Sequence, residues 1–218
     1  RGWSVRVLDL DRPADGEAGV EWCVGDVRDA DAVTRACTDA EVVFHLASLI
    51  PQRKADTETM RAVNVGGASI VLRAAEATRV RRVVYLSSAE VYGIPSVIPC
   101  PEAGPLAPLA EYGHNKIAAE ALCREAGARG LEVVMLRPPT IIGAGLLEPF
   151  LLDLLRSLRA GKPVMLLGKG QNRFHFVHAA DVAEACIAAA ERPGVAGEVY
   201  NIAGPDPLPV GDDPRRPP

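Results

Sequence analysis

Apolar residues along the chain cluster in short β-branched runs, and the segments between them have helical spacing. The runs predict strands at residues 5–10, 20–24, 41–46, 80–86, 131–136, 164–167 and 199–202. Ala-rich segments predict helices at 30–38, 59–77, 116–128, 147–159 and 181–191. Because strand and helix alternate, we expect an α/β fold built on a doubly wound parallel sheet. The runs VVFHLA and RVVYLSS are apolar without alternation, which is typical of central strands covered on both faces.

Composition narrows the classes of partner. The 218 residues are 48% apolar and 24% charged, as in ordinary folded domains, and the net charge of −4 gives no broad positive field for nucleic acid or anionic lipid. No stretch reaches the roughly 18 apolar residues of a membrane span. Five cysteines without a C-x-x-C pair predict free thiols, no metal site and a cytoplasmic location.

In a doubly wound fold, ligands bind at the carboxyl ends of the strands, so polar residues that follow the apolar runs are candidates. Asp9 closes the first run and suits the ribose hydroxyls of a dinucleotide, although a surface turn would also explain it. Asp26 could face an adenine or cap the next helix. Ala47 and Ser48 are small enough to let a flat cofactor approach the backbone, and His45 is expected to be packed rather than catalytic.

The segment Tyr112-Gly-His-Asn-Lys116 is the strongest local pattern. Residues four apart share a helical face, so the Lys116 ammonium can lie near the Tyr112 phenol and lower its pKa toward the working pH. The phenol would then act as a general base, whereas the alternative is an ordinary amphipathic pair. Ser88 follows the preceding strand and places a hydroxyl at the same sheet edge.

The ordered set LDLD, GDVRD, VFHLAS, NVGGAS, YLSSAEVYG, YGHNK, LRPPTIIG and NRFHFVHAADVAEA resembles the extended short-chain dehydrogenase/reductase superfamily, in its NAD-dependent epimerase/dehydratase branch. The resemblance covers residues 3 to 204. It implies an NAD-binding Rossmann-like domain over 1–140 and a partial substrate lobe over 141–204, interleaved with the last sheet strands. The Pro-rich tail at 205–218 is expected to form no regular element.

The resemblance also implies roles for individual residues. Tyr112 would be the catalytic acid/base, Lys116 would position the nicotinamide ribose and lower the tyrosine pKa, and Ser88 would hold the reacting hydroxyl of the substrate. The implied contacts to NAD are Asp9, Asp26, Val27, Leu46, Ala47, Asn64, Tyr112, Lys116 and Pro138. The implied contacts to substrate are Ser88, Glu90, Thr140 and Arg173.

Several positions depart from the family pattern. The sequence contains no G-x-x-G-x-x-G phosphate turn, and Asp9 has only eight residues before it where the family places about 20 between the turn and this acid. We therefore expect the first strand and its glycine turn to be missing. The strands at 5–10 and 42–46 would then lie on either side of a gap, and a direct ladder between them would refute that interpretation.

On the substrate side, Arg173 occupies the position at which sugar-nucleotide members use arginine against the diphosphate. Thr140 in Arg137-Pro138-Pro139-Thr140 stands where asparagine is common, so a UDP- or dTDP-sugar is favoured without being fixed. Ala89 precedes Glu90 where 4,6-dehydratases carry an Asp-Glu pair, which argues against dehydration.

The leading hypothesis is an NAD-dependent sugar-nucleotide epimerase that acts through a keto intermediate. A rival is an NAD(P)-dependent dehydrogenase or reductase of a hydroxysteroid or small carbonyl compound, which would share Ser88, Tyr112 and Lys116. A rival of another class is a non-catalytic NAD-sensing or scaffold protein. The resemblance also implies a homodimer, formed through the helix after Asn64 and the helix of Tyr112.

Overall fold

The computed structural model describes residues 2–13, 17–50, 55–144, 149–163 and 173–209. The chain divides into two compact units. The first comprises Arg1–Arg137 and Ala188–Asn201, and the second comprises Pro138–Ile187 and Ile202–Pro218. The segment Ala188–Asn201 thus returns to the first unit, and Ile202–Pro218 belongs again to the second. The boundary expected after residue 140 stays a prediction.

Strands and helices alternate through most of the described chain. The strands are β1 Val5–Asp9, β2 Val20–Val24, β3 Val42–His45, β4 Arg82–Leu86, β5 Glu132–Arg137, β6 Thr140–Ile142, β7 Arg173–Phe174, β8 Phe176–His178, β9 Val199–Asn201 and β10 Leu208–Pro209. The helices are α1 Ala30–Cys37, α2 Thr57–Arg61, α3 Gly67–Ala77, α4 Glu111–Ala128, α5 Pro149–Arg159 and α6 Ala179–Glu191. A π-helical segment, Ala62–Gly66, joins α2 to α3, so the single helix expected over 59–77 is three consecutive segments.

The first unit contains two separate parallel sheets. One is four-stranded in the order β3-β4-β5-β9, and the other pairs β1 with β2. Among the described residues no ladder joins β1 to β3. Direct pairing of these two strands, which would have refuted the interpretation that a strand between them is missing, is therefore not observed. The Trp3 ring nevertheless stacks on Phe44 of β3, with ring centroids 6.3 Å apart. The parallel α/β class is confirmed.

The core of the first unit lies between the four-stranded sheet and helices α1, α3 and α4. The central strands β4 and β5 are buried along nearly their whole length, as their continuous apolar runs predict. Arg82 begins β4 and is buried because its guanidinium caps the end of α6, donating to the carbonyls of Ala189 (2.8 Å), Ala190 (3.0 Å) and Arg192 (2.7 Å).

The second unit contains short pairs of strands. Strands β6 and β8 pair in parallel, and β7 pairs with β10 in an antiparallel ladder of two residues. The expectation that residues after Pro205 form no regular element is therefore wrong at Leu208–Pro209. A two-residue ladder tolerates Pro209, because a proline at a strand position that donates no hydrogen bond to the partner costs no ladder hydrogen bond. The strand expected at 164–167 lies outside the described residues.

Candidate active site

Tyr112 lies in the first turn of α4, and its side chain is almost fully buried. Burial raises the pKa of the phenol to about 12, although hydrogen bonding with the Ser48 and Ser88 hydroxyls acts in the opposite direction. The Glu90 carboxylate adds a smaller effect that also raises this pKa. The phenol therefore keeps its proton at neutral pH, and two hydroxyls lie within hydrogen-bonding reach of it.

A glycine lets the start of α4 approach the segment that follows β4. A Cβ atom at Gly113 would lie 2.6 Å from Cβ of Pro108 and 2.8 Å from the carbonyl oxygen of Glu90, closer than any side chain tolerates. Glu90 belongs to the 3₁₀ turn Ala89–Tyr92, and Ser88 is the residue just before that turn. The glycine of Y-G-H-N-K therefore helps bring Tyr112 to Ser88.

Lys116 lies one turn further along α4 and is 3% exposed. Its ammonium donates to the carbonyl of Leu86 at 2.8 Å and lies 5.5 Å from the centre of the Tyr112 ring. Burial lowers the pKa of Lys116 to about 8, against the opposing effects of Cys123 and the Glu120 carboxylate. The expected lowering of the Tyr112 pKa is not seen, because burial of the phenol outweighs the groups that favour its charged form.

Asn64 lies in the π-helical segment and holds the chain that follows β3. Its Oδ1 accepts from the Ser48 hydroxyl (3.0 Å) and the Leu49 amide (2.7 Å), and its Nδ2 donates to the Leu49 carbonyl (2.9 Å). A π-helical turn is rare and often occurs at functional sites. Through these bonds Asn64 orients Ser48 toward the Tyr112 phenol. Sequence reasoning treated Ser48 only as a small residue and missed this contact.

Two acidic residues follow β1 and β2. Asp9 ends β1 with an exposed side chain that accepts from the Leu10 amide at 2.7 Å. Asp26 accepts from the Arg28 amide (2.8 Å) and pairs with the Arg28 guanidinium. The cap of α1 belongs to Asp29, whose Oδ1 accepts from the Asp31 and Ala32 amides, so capping does not explain Asp26.

The remaining expected contacts are distributed as follows. Val27 is partly buried against the core beside Gly67, whereas Leu46 and Ala47 are exposed at the end of β3. His45 is buried against the Tyr85 ring, and burial lowers its pKa to about 3, which supports a packed neutral histidine. In the second unit, Pro138 is buried, Thr140 begins β6 and Arg173 is exposed in β7. The structure thus brings together Ser48, Asn64, Ser88, Tyr112 and Lys116 within the first unit.

Several polar and small residues of the first unit are chemically suited to contact a dinucleotide. The exposed Asp9 carboxylate suits ribose hydroxyls, and Ala47 leaves the backbone accessible. The Lys116 ammonium, 5.5 Å from the Tyr112 ring centre, could donate to the hydroxyls of a second ribose. The sequence supplies no glycine-rich turn for the pyrophosphate. Within the described ranges there is no cluster of three or more metal-ligating side chains. Nor is any helix of those ranges long and apolar enough to cross a membrane.

A model of the NAD dependent epimerase/dehydratase family matches residues 1–203. The chain belongs to this family. It is 36% identical over 203 residues to an uncharacterized protein, y4nG, of Sinorhizobium fredii, covering 93% of this chain and 50% of that protein. It is also 32% identical over 192 residues to 3beta-hydroxysteroid-dehydrogenase/decarboxylase isoform 2 of Arabidopsis thaliana, covering 84% of this chain and 33% of that enzyme.

Among solved structures, that of MoeE5 in complex with UDP-glucose and NAD superimposes with a TM-score of 0.83 at 29% identity, covering 96% of this chain and 71% of that one. The family is NAD-dependent, and the MoeE5 structure holds NAD together with UDP-glucose. The chain spans half or less of the length of the two curated relatives named above.

Proposed function

We propose that the protein is an NAD-dependent epimerase of a nucleotide sugar, which removes hydride from a hydroxyl-bearing carbon and returns it to the opposite face. The observation that carries the proposal is that the Lys116 ammonium lies 5.5 Å from the ring centre of the buried Tyr112, whose phenol is near enough to the Ser48 and Ser88 hydroxyls for both to lower its pKa. Oxidation of an alcohol carbon needs a proton acceptor and an orienting hydroxyl at the same substrate oxygen, and Tyr112 and Ser88 are the residues we propose for these roles.

Each side chain has a part in the proposed reaction. Ser88 holds the sugar hydroxyl by a hydrogen bond. Tyr112, as its phenolate, takes the hydroxyl proton as the carbon gives up hydride, and the resulting phenol returns that proton when hydride comes back. NAD, when bound, supplies the hydride acceptor. With its pKa raised to about 12, the phenol is a ready donor for the return step, whereas the removal step needs a nearby positive charge. We propose that Lys116, whose ammonium lies 5.5 Å from the centre of the Tyr112 ring, provides it.

A UDP- or dTDP-sugar is the substrate class we propose. Support comes from Arg173, an exposed guanidinium whose fork suits diphosphate oxygens, and from the UDP-glucose held by the similar MoeE5 structure. Thr140, at the start of β6, and Glu90, in the turn after Ser88, are the further contacts we propose.

The test uses the protein expressed from its complete reading frame, with NAD and either UDP-glucose or dTDP-glucose. We expect NMR of the sugar to show conversion to its epimer with no net accumulation of reduced NAD, because hydride returns to the product. Absence of any epimer with both sugars, in protein that binds NAD, would refute the proposal.

A second candidate is oxidation of a hydroxysteroid or a small alcohol, which the identity to the plant hydroxysteroid dehydrogenase favours. This reaction uses the same three side chains and differs in its products. Reduced NAD would accumulate in proportion to the steroid oxidised, which its near-ultraviolet absorbance reports. Binding of NAD without turnover of either substrate class would instead point to the sensing or scaffold role.

We further propose a homodimer through the outer faces of α3 and α4. A groove between these helices is lined by Leu72 and Leu122 together with charges of both signs, Arg73, Glu76 and Glu125, which suits pairing with a second copy of itself. Sedimentation of wild type and of Arg73→Glu tests this, and a monomeric wild type would refute it.

The free state of all five cysteines supports a reducing, cytoplasmic setting.

A further inference from the structure

The carboxylate of Glu120 is fully buried and joins three elements of the first unit. Its Oε1 accepts from the Ser87 hydroxyl at 2.7 Å and from Nε of Arg137 at 2.8 Å. Its Oε2 accepts from Nη2 of Arg137 at 2.6 Å and from Arg124 at 2.9 Å. Helix α4, the end of β4 and the end of β5 therefore meet at one side chain.

The positions of these residues relate the cluster to the proposed reaction. Glu120 follows Lys116 by four residues and Tyr112 by eight, so all three lie on the same face of α4. Ser87 immediately precedes Ser88, and its amide donates to the Leu136 carbonyl at 2.7 Å. The Glu120 carboxylate therefore connects the helix that carries the phenol to the strand end that carries the orienting hydroxyl.

The Arg137 guanidinium is fixed on its other side as well. Its Nη1 donates to the Tyr92 hydroxyl at 2.7 Å and to the Glu102 carbonyl at 3.0 Å. The Tyr92 hydroxyl in turn donates to Asn201 at 2.7 Å. Arg137 thus cannot rotate without breaking bonds to several segments, and it offers Glu120 a rigid fork rather than a mobile charge.

Stability alone is a weak reason for this arrangement. Removing two charges from water is costly, and well-packed apolar residues often replace a buried ion pair without loss of stability. Burial opposes the charge on Glu120, yet hydrogen bonds from Arg137, Ser87 and Arg124 hold its pKa below the usual value. What directed hydrogen bonds add, and apolar contacts do not, is a defined orientation of α4 against the strand ends.

We infer that Glu120 and Arg137 are positioning residues, which hold the Tyr112 phenol at the Ser88 hydroxyl by fixing α4 to Ser87. This inference rests on the proposed function. A misplacement of about 1 Å in a catalytic constellation can lower the rate by about 100-fold. Neither side chain touches the substrate in this account, so their loss lowers kcat and leaves substrate and NAD affinities nearly unchanged.

The test compares wild type, Glu120→Gln and Arg124→Ala in protein expressed from its complete reading frame. Gln keeps the size of Glu120 but replaces one acceptor by a donor facing the guanidinium, so we expect kcat to fall about 10- to 100-fold with KM changed less than about 3-fold. Arg124→Ala is the matched control, since Arg124 contacts the same carboxylate from within α4 and its side chain is 47% exposed. Its kcat should stay within about 2-fold of wild type.

A paired variant, Glu120→Leu with Arg137→Met, separates positioning from stability. We expect its Tm to match or exceed that of Glu120→Gln while its kcat stays low, because the core is packed but α4 is no longer oriented. Recovery of kcat in the paired variant, or an unchanged kcat in Glu120→Gln, would overturn the inference.

Crystal structures provide a readout that does not depend on turnover. In Glu120→Gln we expect the distance between Oγ of Ser88 and Oη of Tyr112 to increase by about 0.5 Å or more, a displacement of the size that affects catalytic geometry. If wild type turns over neither nucleotide sugars nor hydroxysteroids, the proposed function fails, and this distance alone decides the positioning role. An unchanged distance would then refute it.

Discussion

Replacing Gly113 by alanine tests whether the close approach at the start of α4 shapes the site. The new Cβ would lie 2.6 Å from Pro108 and 2.8 Å from the Glu90 carbonyl, whereas ordinary contact begins at 3.4 Å. The helix and the turn after Ser88 must therefore separate by about 0.6–0.8 Å, and neither a proline ring nor a backbone carbonyl can rotate away.

The expected energy change sets two effects against each other. Alanine in a helix is favoured over glycine by about 1 kcal/mol, while overpacking a well-packed site costs about 1–3 kcal/mol. Because both neighbours are rigid, we expect a net loss of about 1–2 kcal/mol, which lowers Tm by about 2–8 °C in a domain of this size. Turnover should fall about 10- to 100-fold as Tyr112 moves from Ser88.

Gly127 is the matched control, since it lies in the same helix and a Cβ there would meet nothing within 4 Å. Gly127→Ala should raise Tm by about 1–4 °C through helix propensity alone, with turnover unchanged. Thermal unfolding by circular dichroism and steady-state kinetics measure both variants. If Gly113→Ala were stabilised as much as Gly127→Ala and equally active, the close approach would not constrain the site.

Three further predictions concern the groups placed by the structure. Tyr112→Phe should lower kcat by about 100-fold or more while keeping the ring packed, because the proton acceptor is lost; unchanged kcat would remove Tyr112 from the mechanism. NAD should bind more tightly than NADP in calorimetry, because the Asp9 carboxylate repels a 2′-phosphate, and Asp9→Asn should narrow the difference; equal affinities in wild type would mean that Asp9 does not contact the ribose. Burial lowers the pKa of Lys116 to about 8, against 10.5 when unfolded, so the unfolded chain binds more protons between these values. The free energy of unfolding of wild type minus that of Lys116→Met, measured with urea, should therefore rise with pH between about 8 and 10.5. If this difference does not change with pH, folding does not lower the pKa of Lys116.

The sequence predicted the elements whose patterns are local. Strand β2 lies at the residues that its β-branched run predicts. The bounds of the other predicted elements that are found differ from the prediction by a few residues. Helix α4 begins five residues earlier than its apolar spacing indicates, because Gly113, His114 and Asn115 are weak helix formers that tertiary contacts hold in the helix. Local pattern also gives no sign of the π-helical turn around Asn64, whose conformation is held by bonds to Ser48 and Leu49.

Those parts of the candidate site whose residues are close in sequence could be predicted, whereas contacts between residues distant in sequence could not. Tyr112 and Lys116 are four residues apart, so a helix alone brings them together. Glu120 lies in α4 and Arg137 at the end of β5, and only the packing of α4 against β5 brings this buried pair together. The direction of the Tyr112 pKa shift likewise depends on burial, which the Y-x-x-x-K pattern does not specify.

The separation of β1 and β2 from the four-stranded sheet predicts two classes of backbone amide in hydrogen exchange. Amides of β4 and β5 lie between ladders on both sides, so we expect them to exchange only when the whole core opens. Strands β1 and β2 share one ladder, and their Val5 and Val24 side chains are 45% and 68% exposed, so this pair can open while the larger sheet persists. Asp9 ends the pair that opens, whereas Tyr112 lies against the sheet that persists. If the proposed roles of Asp9 and Tyr112 hold, we expect local unfolding to weaken dinucleotide binding before it disturbs the geometry of proton transfer.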